Sequence, residues 1–458
     1  MGGSLQPLLI KNVELKGNKV DVHCKDGLIT RIHERIDVSS NDRVFDSHGG
    51  ALLPSIRDNH LHLCSLAARR NSIVCGPPEI TDEEQLIAAL RAAPGNDWIR
   101  GVDYHESVAG DLNAAQIDGW VVDRPVRIQH RSGRLWYVNS VAAAALALPV
   151  TNGGQLYRQD EHVREALAPN ESIEQDLAAL SMELASFGVT HVTDATPSNS
   201  NASASMLKAQ CNLQDVYVMG GDGLSNGHRK IILDDYRLPD FESFTATIKK
   251  AYRQGRPVAI HAVSKVEIVF ALAALREFRE TAKDRLEHGT QLTADLIPLI
   301  EDLDVEIVPN PNFIFERGDQ YIRDHSPSEL AAFYPIRTLL ERGMRCSFGT
   351  DAPFGAPDPW LAMRAAVTRQ TRHGEYVAHA EQISPEEALS GFLPAHRRMH
   401  ASGCILQVGD EASLVVLNHP WSKARSRLLC EDVVLTVRQG EVTYARGVSS
   451  AANDKRLA

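Results

Sequence analysis

The chain has 458 residues, of which 43% are hydrophobic. That is too many for one small core and enough for a barrel of about 250 residues or more plus a smaller domain. It carries 48 Lys and Arg against 59 Asp and Glu, a net charge of −11, which argues against a nucleic-acid or anionic-membrane partner, since either would want a basic patch. A local basic pocket stays open. No stretch is apolar enough to span a bilayer, and Met1–Pro7 has neither the basic start nor the apolar core of a secretory signal. The seven cysteines, Cys24, Cys64, Cys75, Cys211, Cys346, Cys404 and Cys430, include no Cys-x-x-Cys pair. They read as free thiols in a reducing compartment, so a cytoplasmic location is expected.

The first fifty residues alternate as short strands, Leu8–Leu15, Val20–Cys24 and Leu28–Ile32, set between turns at Gly17-Asn18 and Lys25-Asp26-Gly27. A short apolar run then leads into His60-Leu61-His62. Asp97–Gly101 and Pro125–His130 are further strand candidates. Glu171–Phe187 has the pattern of a helix ended by Gly188, and Val189–Thr193 that of a buried strand. Asn199–Ser205 reads as a mobile loop. Lys230 borders the apolar run Ile231–Leu233. Helix Phe241–Gln254, ended by Gly255, precedes a strand Pro257–Ile260 that ends on His261. Asp284–Glu287 leads to His288, Val305–Val308 to Pro309, and Arg345–Phe348 to Gly349-Thr350-Asp351. The last fifty-odd residues return to short strands, Ala412–Leu417, Val433–Arg438 and Glu441–Tyr444.

Strand and helix alternating through the middle imply a parallel sheet. The expected class is α/β: a (β/α)8 TIM-type barrel over residues 53–400, with a small β-sandwich domain formed from both chain termini, residues 1–52 and 401–458. The strand candidates exceed eight, so either Asp97–Gly101 or Pro125–His130 is expected to belong to an insertion.

In an extended strand residues i and i+2 share a face, so His60 and His62 can converge on one point. Alone, the pair fits two surface histidines equally well, and a single histidine after a strand is more often a hydrogen-bonded structural one. Asp351 by itself would suit a helix N-cap. Together, His60, His62, His261, His288 and Asp351 all follow β-type runs, and a barrel gathers its strand ends at one face. Such N and O ligands with an open position suit a catalytic Zn²⁺, with Mn²⁺, Fe²⁺ or Co²⁺ accepting a similar set. Lys230 is a sixth candidate: carboxylated by CO₂ it becomes an anionic oxygen ligand able to bridge two metals, whereas otherwise it is a strand-end lysine paired with Asp234 or Asp235. His191, inside a buried run, reads as structural.

These residues carry a resemblance to the amidohydrolase superfamily, and within it to the YtcJ-like branch that includes N-substituted formamide deformylases. Leu53–His62 resembles that family's Pro-Gly-x-x-Asp-x-His-x-His; Val258–Ala262 and Arg285–His288 resemble its second pair of histidine strands; Gly349-Thr350-Asp351-Ala352-Pro353 resembles its Gly-Ser-Asp-Ala-Pro. Lys230-Ile231 is similar to its carboxylated-lysine strand. His130 with Trp136–Ser140 looks like a branch-specific stretch near the substrate, and Gly403–Leu417 resembles the C-terminal β-domain signature. Ser55 and Ser413 depart from the usual Gly and Asp. The stretches around Gly153–Leu167 and between Lys230 and His261 are reduced.

The resemblance implies hydrolysis of a carbon–nitrogen, amide-type bond of a small molecule. His60, His62, Lys230, His261, His288 and Asp351 would hold one or two metals, Asp351 would shuttle the proton, and His130 would contact the substrate. A mononuclear deaminase of an amino-heterocycle is the alternative, with Lys230 a plain cation and His288 an outer-sphere helper; a non-enzymatic metal-binding barrel is a third reading. Trp98, Trp136, Phe313, Phe315 and Trp360 could line a pocket or fill the core, and Arg317 and Arg323 suit a solvated face. Substrate identity and metal number leave no trace in the sequence, and a homo-oligomer stays open.

Overall fold

A computed structural model describes residues 6–95, 97–147, 151–157, 159, 163, 172–278, 283–394, 406–447 and 456–457. The chain divides into two compact units, one of Met1–His62 with Ala178–Ala458, the other of Leu63–Leu177.

The first unit opens with β1 (Leu8–Leu15), β2 (Asn18–Lys25), β3 (Leu28–His33), β4 (Arg43–Asp46), β5 (Leu52–Pro54) and β6 (Ile56–Leu61). The second unit holds β7 (Ile73–Val74), β8 (Ile99–Tyr104), β9 (Val126–His130), β10 (Leu135–Val138) and β11 (Gln155–Tyr157). The first unit resumes with β12 (Val189–Asp194), β13 (Asp215–Val218), β14 (Arg229–Ile232), β15 (Val258–Ala262), β16 (Arg285–His288) and β17 (Glu306–Val308). It closes with β18 (Leu414–Leu417), β19 (Val433–Arg438), β20 (Glu441–Ala445) and β21 (Arg456–Leu457).

Both chain ends share two sheets, with orders β21-β4-β1-β2-β3 and β20-β19-β18-β5. They are stitched together where Ile29 N–H donates to Asp410 O and Ala412 N–H to Gly27 O, at 2.8 Å each. Three hairpins turn on two residues that are both left-handed: Lys16-Gly17, Asp26-Gly27 and Gln439-Gly440. That is the two-residue turn whose twist matches the flanking strands. The first lies one residue earlier than Gly17-Asn18, because Asn18 already pairs with Leu15.

The second unit is a five-stranded sheet, β11-β10-β9-β8-β7, parallel across β7, β8 and β9 and antiparallel from β9 to β11. The helices Glu83–Arg91 and Ala114–Trp120 start at side-chain caps, Asp82 and Asn113. They bury Leu86, Leu90 and Ile117 in one core with Ile99, Val126 and Ile128. Asp97–Gly101 and Pro125–His130, of which one was expected to be inserted, supply β8 and β9 and so both belong here. Their parallel pairing gives them the same apolar signature as the strands of the first unit.

In the first unit, β13-β12-β6 and β14-β15-β16-β17 are parallel sheets. A parallel bridge from Gly220 to Arg229 and another from Ile307 to Cys346 extend the second sheet at either side. Asn59 N–H donates to Phe348 O at 3.2 Å and Asp351 N–H to His60 O at 2.7 Å, tying the segment after Cys346 to β6. The expected strand Arg345–Phe348 is thus reduced to one bridge, because its polar backbone groups go to Ile307, Gly391 and Asn59. Helices Ser172–Ser186, Phe241–Arg253 and Lys265–Leu275 form as expected between strands, although Glu171 lies outside the described residues. Gly188 follows the first with φ +86°, and a Cβ there would come 2.7 Å from Val415. Asn199–Ser205 is no loop. Ser200 and Ser203 form a reciprocal cap that starts a helix, Asn201–Gln210.

Among the described residues no helix is long and apolar enough to cross a membrane. None of the six cysteines there is in a disulfide. Cys404, with the Gly403–Ile405 part of the C-terminal signature, lies outside them.

Candidate active site

The strand β6 delivers His60 at its end and His62 just beyond it. Their rings share a face, 5.5 Å apart between centroids, as alternation requires. The segment Gly349-Thr350-Asp351 runs against them. Gly349 has to be glycine, since a Cβ would meet His60 Cβ at 2.4 Å and its backbone N at 2.6 Å. Asp351 Oδ1 then stands 3.4 Å from His60 Nε2 and 3.2 Å from His62 Nε2. Donor atoms of His60, His62 and Asp351 all lie within 4.8 Å of one another.

Two further imidazoles join this group. His288 packs 4.9 Å from His60, and His261 packs 4.4 Å from His288, between ring centroids. His288 and Asp351 both have left-handed backbones, φ 71° and 57°. For buried non-glycine residues this is an unfavourable conformation that persists only where surroundings impose it. Here Asn310 donates to Gly349 O at 3.0 Å while accepting from His288 Nδ1 at 2.6 Å. Asp58 accepts from Thr350 Oγ1 at 2.6 Å and from the N–H groups of Thr350 and His60, both at 3.1 Å.

The Nδ1 atoms of three rings are all engaged on the side away from Asp351. His60 Nδ1 donates to the fully buried Glu287, His62 Nδ1 hydrogen-bonds Thr196 Oγ1 at 3.0 Å, and His288 uses Asn310. Such partners fix which ring nitrogen is left for ligation. Burial and the Lys230 charge push His60 down to about 3. Burial alone would raise the Asp351 carboxyl, yet His62, His60 and His288 hold it well below the usual carboxylate range. Burial would also raise Glu287, and Arg285, Lys230 and His60 hold it ionised. Burial pushes Asp58 up to about 6 against the bonds from Thr350 and His60.

Lys230 is buried on β14, 4% exposed, and its ammonium has no hydrogen-bond partner among the described residues. The pairing with Asp234 is not made; that carboxylate caps Tyr236 N–H instead. Burial lowers the Lys230 pKa, which favours the free amine that carbamate formation needs. A converged set of imidazoles and a carboxylate, beside a buried lysine with nothing to bond, fits divalent-cation binding in donor type and orientation.

His130 lies in the second unit at the end of β9. Its Nε2 is 3.0 Å from Glu106, its Nδ1 2.8 Å from Ser132 Oγ, and its ring stacks on His105 at 6.1 Å. His191 bonds Thr190 at 2.9 Å and stands 3.2 Å from Asp215. Trp136 and Trp360 are buried core residues, and Arg317 stacks on Phe313 while donating to Phe354 O at 2.7 Å.

Asp58, matched in the sequence as the aspartate of the Pro-Gly-x-x-Asp-x-His-x-His pattern, belongs to this site, as do Glu287, Asn310, Thr196 and Phe354, which went unnoticed. Phe354 sits edge-on to His62 at 5.5 Å. Of the unnoticed four, only Glu287 carried a signal, its place beside His288, and period-two alternation sends it to the opposite face.

Residues 43–444 match a family described as the amidohydrolase family. N-substituted formamide deformylase of Arthrobacter pascens is 24% identical, over 88% of this chain and 90% of that protein. The putative amidohydrolase YtcJ of Bacillus subtilis (strain 168) is 22% identical, over 93% and 96%. An uncharacterized metal-dependent hydrolase from Pyrococcus horikoshii OT3 superposes with a TM-score of 0.69 at 18% identity, over 90% of this chain and 97% of that one. A 5-methylcytosine deaminase from Klebsiella pneumoniae gives 0.57 at 15%, over 98% and 99%. Those two structures establish an α/β fold of TIM-barrel type.

Proposed function

The chain belongs to the amidohydrolase family, a metal-dependent hydrolase of carbon–nitrogen bonds other than peptide bonds, and from that premise we propose that it cleaves an amide-type bond of a small molecule at the His60–His62–Asp351 cluster. The observation that carries this is Asp351 Oδ1 standing within 3.4 Å of both Nε2 atoms. His60, His62, His261, His288, Asp351 and a carboxylated Lys230 would hold one or two cations, Zn²⁺ first and Mn²⁺, Fe²⁺ or Co²⁺ as substitutes. When bound, such a cation supplies a water acidified from about 15.7 toward about 7 and a Lewis acid for the substrate oxygen.

Asp351 takes the proton of the attacking water and passes it to the leaving nitrogen as the carbon–nitrogen bond breaks, so one carboxylate serves as base and then acid. His288, its Nδ1 committed to Asn310, would use Nε2 as its ligand atom. Phe354 offers an apolar wall beside His62. His130 contacts substrate in this reading.

The same reading includes an eight-stranded barrel over residues 53–400. Its support is the pair of parallel bridges and the hydrogen bonds from β6 to Phe348 and Asp351. Residues 1–52 and 401–458 would form a β-sandwich domain. A cytoplasmic protein acting on a small molecule, with no nucleic-acid or membrane partner, agrees with the negative net charge and with described cysteines that form no disulfide.

The test is elemental analysis of the purified protein together with turnover on a panel of amides, carbamates, ureas and lactams. N-substituted formamides come first, because a relative carries that name. Expected are about two divalent ions per chain, as two-metal hydrolytic sites hold, and hydrolysis that His60→Ala abolishes with little loss of folding. One ion, a plain Lys230 and release of ammonia from an amino-heterocycle would make it a deaminase instead. Full activity in His60→Ala would remove the ligand assignment altogether.

A further inference from the structure

Glu287 is fully buried and lies next to a candidate ligand, His288, yet it points to the same interior. Alternation along β16 would place consecutive side chains on opposite faces, and the left-handed backbone of His288 breaks that alternation. Glu287 meets His60 Nδ1 with Oε2. Arg285, two residues earlier on the same face, places Nε 2.9 Å from Oε1 and Nη2 3.1 Å from Oε2. Arg285 Nη2 also donates to Asn59 O at 2.8 Å, on the strand that carries His60. The carboxylate is therefore gripped from behind by a guanidinium that is itself anchored to β6.

Resting on the metal-site reading above, we infer that Glu287 is a positioning residue that fixes the His60 ring with its proton on Nδ1 and its Nε2 lone pair toward the cation. The argument is one of donors and acceptors. A carboxylate can only accept here, so Nδ1 has to donate, and a neutral imidazole then keeps Nε2 bare. Arg285 can only donate, so its Nη2 hydrogen bond to Oε2 and its ion pair with Oε1 keep Glu287 from turning away. A carboxylate behind a metal-facing imidazole also raises the basicity of the ring as a ligand.

Glu287→Gln separates this role from simple packing, because it preserves volume. Arg285 Nη2 and His60 Nδ1 both donate at the Oε2 position, so the amide keeps its oxygen there and turns its NH₂ to the Oε1 position. His60 then keeps its Nδ1 proton but loses the anionic acceptor that raises the basicity of the ring as a ligand. Titration of metal-free protein with Co²⁺ against a competing chelator is expected to show Glu287→Gln binding about 10–100-fold more weakly than wild type, with an altered Co²⁺ absorption spectrum. An unchanged dissociation constant with a lowered unfolding temperature would overturn the inference and leave Glu287 a packing residue. Should Glu287→Gln not fold, ¹⁵N-histidine spectra of the metal-free wild type decide, with the His60 signal assigned from His60→Asn. An Nδ1–H tautomer supports the inference and an Nε2–H tautomer sinks it. Wild type that binds no more Co²⁺ than His60→Asn would instead refute the metal-site reading itself, a result distinct from these.

Discussion

Two of the places where the first unit adopts left-handed backbone differ sharply. In the sheets formed by both chain ends it lies in hairpin turns, at Lys16-Gly17, Asp26-Gly27 and Gln439-Gly440, where every pair ends in glycine and the conformation is simply what a tight turn between twisted strands requires. Among the imidazoles it falls on His288 and Asp351, both buried and neither replaceable by glycine without losing a functional group. In the first region the local sequence asks for the conformation. In the second, the surroundings impose it through Asn310, Asp58 and Thr350. The contrast separates residues that serve the fold from residues the fold is made to serve.

The sharpest way to probe that separation is Asp351→Asn, which keeps size and hydrogen-bonding shape. Turnover should fall by about 10²–10⁴-fold, the range of an acid–base group, with the unfolding temperature little changed. A collapse of folding instead would place Asp351 on the structural side. The converse is Leu435→Ala in β19, a fully buried side chain of the terminal sheets. It should destabilise by about 2–5 kcal/mol in denaturant titrations while the folded fraction keeps its kcat. A lowered kcat would show that the two regions are not separable.

Asp284 sits at the head of β16, where it accepts from Tyr252 and from Val258 N–H at 2.8 Å. Burial pushes its carboxyl up to about 6, against about 3.9 in an unfolded chain. The folded state thus holds the proton more tightly than the unfolded one. Its contribution is most favourable below pH 4, is lost as pH rises from about 4 to 6, and leaves a penalty of up to ~3 kcal/mol above that window. Asp284→Asn should flatten this slope in the difference between variant and wild-type unfolding curves at pH 4–6.5; parallel curves would show that the proton is not held there. The smallest effect belongs to Lys16→Asn, which supplies the Asn-Gly pair favoured in such hairpins. Stability should rise by ~1 kcal/mol or less, about the strain of one left-handed L-residue, with turnover unaltered. Loss of stability would mean that the Lys16 side chain, rather than its backbone, matters in the turn.

Much of the centre could be read from one dimension. His60-Leu61-His62 follows from the alternation of a strand, and Asp351 from the tight Gly349-Thr350 approach that precedes it. The strand end at His261 was marked by the apolar run Val258–Ile260, whereas Asp284–Glu287, with a single apolar residue, marked His288 only by its place in the strand–helix order. Glu287 was hidden because the pattern that places His288 correctly places its neighbour on the wrong face; only the backbone angle at His288 brings both inward. Asn310 and Thr196 act by bonding to residues 22 and 134 positions away, and nothing local announces such a partner. The second unit escaped notice for another reason. Val126–His130 pairs in parallel beside Ile99–Tyr104, so its residues carry the same apolar signature as those of β12 or β15.

Because His60, His62 and His288 are each gripped at Nδ1 by a different stretch of chain, the arrangement is not portable as a short motif. A protein engineer who copied His60-Leu61-His62 onto another scaffold would import two freely swivelling rings. A working graft has to carry Glu287 with Arg285, Thr196 and Asn310 as well, which amounts to borrowing the ends of several strands at once.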